Sequence, residues 1–311
     1  MKKFFGFIVL LFLINSCNDG DVAVQDISFE SVGGLSCGNL TYKIKGNEVL
    51  ILNIAAEEKA FQNDQTLSNA PKVYIIGEKN SVTYRAYNGV PTGNNFCGAL
   101  PPAIPIVIEE WTAISGTIEV STTFIKTKNE TTNAETITGY NHLVLLKNIT
   151  FKKPNGEQFY EEFRFGNYKT DFPVLSFTVF TEPIEKCPTS NILTSKNGST
   201  SLISFDNTNN LIQNTVTTTG NPRVGTISTT NNLYYRVFST IDLTGYKCAA
   251  TYLPANYLQE WTAISGTVEV TTTQSNVLFI HKVRLKGVKL MKGNSEFSLG
   301  DDFLLGEIQT L

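Results

Sequence analysis

The 311-residue chain is short of the residues most chemistry needs: it holds two histidines, two tryptophans and two methionines, and charged residues are only 17% of it. Lys+Arg number 25 against 28 Asp+Glu, a formal charge of −3. No basic surface therefore stands ready to neutralise phosphates, which argues against a nucleic-acid partner. No CxxC or Cys–His spacing suits zinc. Neither a metal nor a cofactor is expected. Helical periodicity is also scarce, with Ala55 to Gln65 the one weak candidate. Hydrophobic residues still make up 41%, enough for a core and against wholesale disorder.

What is present begins with an address. Lys2 and Lys3 precede an apolar run from Phe4 to Ile14, too short to cross a bilayer but of signal-peptide length. Leu13-Ile14-Asn15-Ser16-Cys17 follows, a small residue immediately before a cysteine, and it resembles the lipobox of bacterial lipoproteins. Ile14 stands where leucine is commonest in that family, and Asn15 is an unusual neighbour. The resemblance implies that residues 1–16 are removed and that Cys17 carries the lipid, with each buried methylene worth about 0.8 kcal/mol of anchoring. Residues 17–26 then form a polar tether. Its Asn18-Asp19-Gly20-Asp21 looks like the acidic tether of Bacteroidota lipoproteins.

The remainder is one unit written twice. Glu110-Trp111-Thr112-Ala113-Ile114-Ser115-Gly116-Thr117 recurs as Glu260-Trp261-Thr262-Ala263-Ile264-Ser265-Gly266-Thr267. Cys37 maps to Cys187, Tyr84-Arg85 to Tyr235-Arg236, and Cys97 to Cys248, all at offsets of 150 or 151. The offset then falls to 139 at His142 and His281, because the second copy lacks about eleven residues of the polar Lys126–Thr138 stretch. Such a stretch reads as a loop that can shorten without disturbing a core. Phe163-x-x-Gly166-x-x-x-Thr170 maps to Phe303-x-x-Gly306-x-x-x-Thr310, so copy 1 spans 27–171 and copy 2 spans 174–311.

Both copies read as strands. Leu40 to Ile44 alternates, breaks at Gly46-Asn47 and resumes through Leu52; Lys72 to Ile76 and Val82 to Tyr87 flank a second turn. Phe159, Glu161, Phe163 and Phe165 alternate with Tyr160, Glu162 and Arg164 in another. The expected fold is all-β, with two tandem β-sandwich-like domains, Ig-like or jelly-roll-like, related by internal duplication. Four cysteines remain beside Cys17 and permit three pairings. The duplication selects Cys37–Cys97 and Cys187–Cys248, bonds that persist in an oxidising compartment. Each closes a loop of some 60 residues and contributes on the order of 4 kcal/mol in the chain-entropy model.

Few residues could carry a reaction. His281 shares a strand face with Val283 and Leu285, while Lys282, Arg284 and Lys286 share the other, so the histidine points to the core. Glu109 and Glu110 are strand neighbours facing opposite ways, which prevents them from simply acting as a glycosidase pair. Trp111 and Trp261 read as core, and Arg85 and Arg236 as partners of strand acids. The turns Asp206–Asn210 and Gly300-Asp301-Asp302 lack calcium-loop spacing. Tyr246, Tyr252 and Tyr257, near loops and present in one copy only, are the weak candidates for a binding surface.

The lipobox together with the paired Trp-Thr-Ala-Ile-Ser-Gly-Thr blocks resembles duplicated lipoproteins of Flavobacteria and their relatives. That resemblance implies a lipid-anchored outer-membrane location, on its periplasmic or its extracellular face, and no reaction. The expectation is a cell-envelope lipoprotein, held in the membrane by its N-terminal lipid, with a non-catalytic binding role toward a glycan, peptide or envelope protein. The alternatives are a structural or assembly component of the envelope, or a hydrolase using Glu110 or Glu260 with His142 or His281.

Overall fold

The computed structural model describes residues 27–172, 184–187, 192–197, 201–206, 211–228, 231–238, 248 and 257–311. The fold is all-β, with one antiparallel sheet in each half. The first sheet holds β1 (Leu35–Cys37), β2 (Leu40–Lys45), β3 (Glu48–Asn53), β4 (Lys72–Ile75), β5 (Ser81–Tyr87), β6 (Val107–Lys128), β7 (Glu135–Lys153) and β8 (Gly156–Asp171). Its order is β1-β2-β3-β5-β6-β7-β8, with β4 beside β6.

The second sheet holds β9 (Glu185–Lys186), β10 (Ile192–Asn197), β11 (Ser201–Asp206), β12 (Arg223–Thr226), β13 (Leu233–Val237), β14 (Gln259–Ser275), β15 (Leu278–Lys292), β16 (Ser295–Ser298) and β17 (Phe303–Thr310). Its order, β16-β15-β14-β13-β11-β10-β9 with β12 beside β14, repeats the first with β8 broken into β16 and β17.

The repeated Ile-Ser-Gly-Thr block is the corner of each sheet. Register slips on either side of Ser115 against β7 and of Ser265 against β15. Gly116 and Gly266 sit there at φ +119 and +114. A Cβ on Gly116 would lie 2.8 Å from the Ile149 Cα, and one on Gly266 2.7 Å from the Val288 Cα. Only glycine fits both the dihedral and the close approach. The bend lets one long strand serve two parts of a core: Trp111 and Ala113 lie before it, Ile118 and Val120 after it, in a single cluster. Gly116 O and Gly266 O accept the amides of Ile76 and Ile227, which ties the following edge into the corner.

Local readings fare unevenly. Gly77 N donates to Asn80 O at 2.9 Å, closing the expected turn. The Ala55–Gln65 stretch makes only a 3-10 turn at Ala56–Glu58, ended by Lys59 in the left-handed region (φ 50). In β8, Phe163 and Phe165 are buried but Phe159 is 59% exposed, while Gln158 turns inward. The inward parity changes opposite Asn148, itself at φ 49, so strict alternation fails at that bend.

The two halves touch. The core of the second half takes in Ile137, Tyr140 and Phe172 from the first. Tyr140 Oη donates to Ser295 Oγ at 3.1 Å, and Phe172 meets Trp261 edge-on at 6.3 Å. The Lys126–Thr138 stretch, expected to be a loop that can shorten without disturbing a core, spans the β6–β7 turn and reaches across. Asp301 N donates to Thr132 O at 2.9 Å and Asn133 Nδ2 to Asp301 Oδ2 at 2.7 Å. Its polar groups thus serve in part as hydrogen-bond partners of the second half.

Candidate functional site

The two histidines are fully buried, each on a strand face beside the apolar residues. Thr122, on β6, sits opposite His142, on β7, and brings its hydroxyl to 2.8 Å from Nδ1. Thr170, on β8, lies 3.0 Å from Nε2. The Thr170 hydroxyl donates in turn to Asn63 Oδ1 at 2.7 Å, and Asn63 Nδ2 donates to Asp171 O at 3.3 Å. A hydroxyl has one proton. Since Thr170 gives its proton to Asn63, it accepts from the imidazole Nε2–H, and Nδ1 must accept from Thr122.

Each part recurs around His281. Thr272 lies 2.9 Å from Nδ1 and Thr310 2.8 Å from Nε2. Thr310 donates to Asn214 Oδ1, and Asn214 Nδ2 donates to Leu311 O. Thr66 Oγ1 and Thr217 Oγ1 each accept a backbone amide, from Thr122 and Thr272 respectively, both at 3.0 Å. Burial pushes His142 down to about 4, with the Lys72 charge adding to it, and lowers His281 for the same reason beside Arg223. Both rings are thus neutral at pH 7 and bonded at both nitrogens.

A signal for this network lies in the sequence outside the strand patterns. Gln62-Asn63-x-x-Thr66 and Gln213-Asn214-x-x-Thr217 repeat at the same offset of 151, as do Pro71-Lys72-Val73 and Pro222-Arg223-Val224. They stand largely in loops, where periodicity carries no information.

The tryptophan blocks form a second repeated layer. Trp111 and Trp261 are fully buried. Their Nε1 atoms donate to Glu109 Oε1 at 2.7 Å and Gln259 Oε1 at 3.2 Å. Arg85 pairs with Glu110, and Arg236 with Glu260, each at 2.6 Å. Arg236 also donates to Ser204 Oγ at 2.9 Å and stacks over Tyr234 at 4.4 Å. These acids and bases hold strands together, with Glu109 and Glu110 turned to different partners.

The weak binding candidates separate. Tyr246 and Tyr252 lie outside the described residues. Tyr257 is half-buried, with its ring 6.0 Å from the Arg236 guanidinium, and its hydroxyl is raised first by burial and then by Glu260. It belongs to the arginine layer. Cys37–Cys97 and Cys187–Cys248 are both bonded. Asp302 pairs with Arg284 and Lys286, and Asp301 with Asn133. Among the described residues no cluster of three or more His, Cys, Asp or Glu could hold a metal.

A concavity in the first half lies against this machinery. A cleft of about 240 Å³ opens between the β1–β2 turn and the irregular segment after β3. Ser36, Asn39, Thr41, Lys59 and Gln62 give it donors and acceptors, and Phe61 and Tyr168 give it an aromatic wall. Those rings pack edge-on at 4.9 Å, and both stand on His142, at 5.4 and 6.0 Å. The buried clamp therefore sets the angle of the cleft wall. Sequence reasoning missed it because most of its residues come from turns and loops, and its strand residues Ser36 and Thr41 lie far from Tyr168 in the chain. No family model, curated protein or solved structure matches the chain.

Proposed function

We propose that the protein is an envelope lipoprotein, lipidated at Cys17 and held at the outer membrane, whose first half binds a hydroxyl-rich ligand of glycan type without chemically altering it. The observation that carries the binding role is the cleft: amide, hydroxyl and ammonium groups beside two aromatic rings, open to solvent and backed by a buried hydrogen-bonded clamp. Hydroxyl-rich ligands are recognised by such a mixture of polar donors and apolar ring faces. The non-catalytic reading draws on where the titratable groups go. His142 and His281 are sealed in the core, and Glu110 and Glu260 are tied to arginines.

A glycan array probed with the full chain tests the reading. Retention of one glycan class by the wild type, lost at least tenfold in the Asn39→Ala/Gln62→Ala double variant, is expected. Both residues are exposed, so the fold should survive. No retention, or retention indifferent to both substitutions, overturns the cleft reading. Turnover of a bound glycan that disappears in Glu110→Gln overturns the non-catalytic one.

A further inference from the structure

One stretch of the first half is neither used by the cleft nor buried by the second half. From Ala86 to Ile108 the chain carries no charged residue. Within it Val90, Ile104, Ile106 and Ile108 are 71, 76, 53 and 62% exposed. Asn88 N donates to Ile106 O, and Ile106 N to Asn88 Oδ1, both at 3.0 Å, so the two ends of the loop are clasped into one rim. The acids that border it are already engaged, Glu110 by Arg85 and Glu109 by Trp111. Contiguous exposed apolar surface of this kind marks a contact site.

The end of the described chain says what covers it. Lys45 Nζ donates to Ser28 O at 2.8 Å and Lys43 Nζ to Phe29 O at 3.1 Å, with Phe29 fully buried. Residue 28 is thereby stapled beside the β2–β3 hairpin, where Lys45 pairs with Glu48. Asn47 of that hairpin exchanges two 2.9 Å bonds with Tyr87, immediately before Asn88. The tether from Cys17 thus joins the body at the same end as the apolar rim. Ten residues of chain reach at most about 35 Å. The cleft opens at the opposite end of β2, by Asn39.

We infer that the rim formed by Val90, Ile104, Ile106, Val107 and Ile108 rests on the lipid surface into which Cys17 is anchored, holding the body upright with the cleft facing away. The inference rests on the lipid-anchor reading. A short tether supplies a high local concentration, so a rim of modest intrinsic affinity remains seated.

The test reconstitutes the full lipidated chain in phosphatidylethanolamine–phosphatidylglycerol vesicles with brominated acyl chains. Ile104→Trp is compared with Ile75→Trp, an exposed position opposite Thr117 and about 33 Å along β6 from the rim. The buried native tryptophans supply a common baseline in the wild type. Bromolipid should quench the added emission of Ile104→Trp at least twofold more than that of Ile75→Trp. Equal quenching at both positions overturns the proposal. So does an Ile104→Trp emission that shifts to the blue only in native membranes and is unquenched in vesicles, which assigns the rim to a protein.

Labelled palmitate incorporation at Cys17, abolished in Cys17→Ala, is read on the same preparation. Incorporation without selective quenching leaves the anchor standing and removes the rim. Without incorporation the anchor reading falls. Selective quenching of the unlipidated chain added to the same vesicles would then still support the rim, and its absence would overturn that too.

Discussion

The two halves carry the same clamp built from the same residue types, yet the clamps differ in what surrounds them. Around His142, Lys72 donates to Gln62, on the rim of the cleft. At the corresponding place Arg223 reaches inward, donating to Thr272 Oγ1 at 2.8 Å and to Thr215 O at 2.5 Å. The second clamp is thus cross-braced by a cation, and the first leaves its cation at the cleft. Glu109 and Gln259 differ in the same sense, a charged acceptor for the indole in one half and a neutral one in the other. The pattern common to both halves is what the fold requires. The departure at Lys72 and Arg223 sits where the first half opens its cleft, and the longer β6–β7 turn sits where it meets the second.

If the corners are equivalent, they should fail alike. Gly116→Ala and Gly266→Ala each force a Cβ to within 2.8 Å of backbone at a strongly positive φ. Each should cost about 3 kcal/mol or more, read as a fall in urea midpoint. A loss below 1 kcal/mol in either half would show that its corner relaxes and that the repeat is only superficial there.

Acid should find the clamps next. The folded-state value of His142 lies near 4 and the unfolded value near 6.5. The unfolded chain therefore binds the extra proton first as pH falls, and stability declines from about pH 6.5 downward. The clamp's full contribution is present above that value. The His142 share of the loss should reach about 3 kcal/mol at pH 4, and His281 adds in the same direction. Chemical denaturation at pH 7, 5 and 4 checks this. In His142→Gln the decline should be shallower, and an identical slope would remove His142 as its cause.

How much of this was written plainly in the sequence depends on which residues sit in strands. Period-two alternation around His281 placed the ring inside, and the duplicated cysteine spacing selected the pairs that form. The tryptophans went where bulky apolar strand residues go. Threonine and asparagine were harder, since the same composition serves a solvated loop or a buried network. Only their partners decide, and Asn63 lies 107 residues from Thr170. Tyr140 and Phe172 look like core of their own half, but they complete the core of the other. Local pattern cannot show a contact that depends on how two units dock.

Removing one ring should distinguish the two clamps. His142→Ala leaves the Thr122 and Thr170 hydroxyls buried against a cavity, and His281→Ala does the same to Thr272 and Thr310. Thr272 keeps its bond from Arg223, whereas the cation corresponding to it, Lys72, is spent on Gln62. Each substitution should cost about 2–4 kcal/mol, with His142→Ala about 1 kcal/mol the worse. Equal losses would mean that Arg223 contributes nothing once the ring is gone. Ligand retention should also weaken in His142→Ala alone, because Phe61 and Tyr168 lean on that ring.

The smallest effect bears on the stretch that only the first half possesses. The half-buried Asn133 and the exposed Asp301 are bonded across the two halves at the surface, so solvent competes for the pair. A double-mutant cycle with Asn133→Ala and Asp301→Ala should give a coupling of about 0.5–1 kcal/mol. The single Asp301→Ala keeps the 2.9 Å backbone bond from Asp301 N to Thr132 O, so much of the contact should persist. Coupling measured in the full chain would show that the longer β6–β7 turn was retained, or gained, as an arm for its neighbour. A value indistinguishable from zero would return that turn to the role of a tolerated loop. The tie between the halves would then rest on the shared core around Tyr140 and Phe172 and on bonds away from that pair, such as Asn294 Nδ2 to Gln65 O and Ser298 N to Glu135 Oε2.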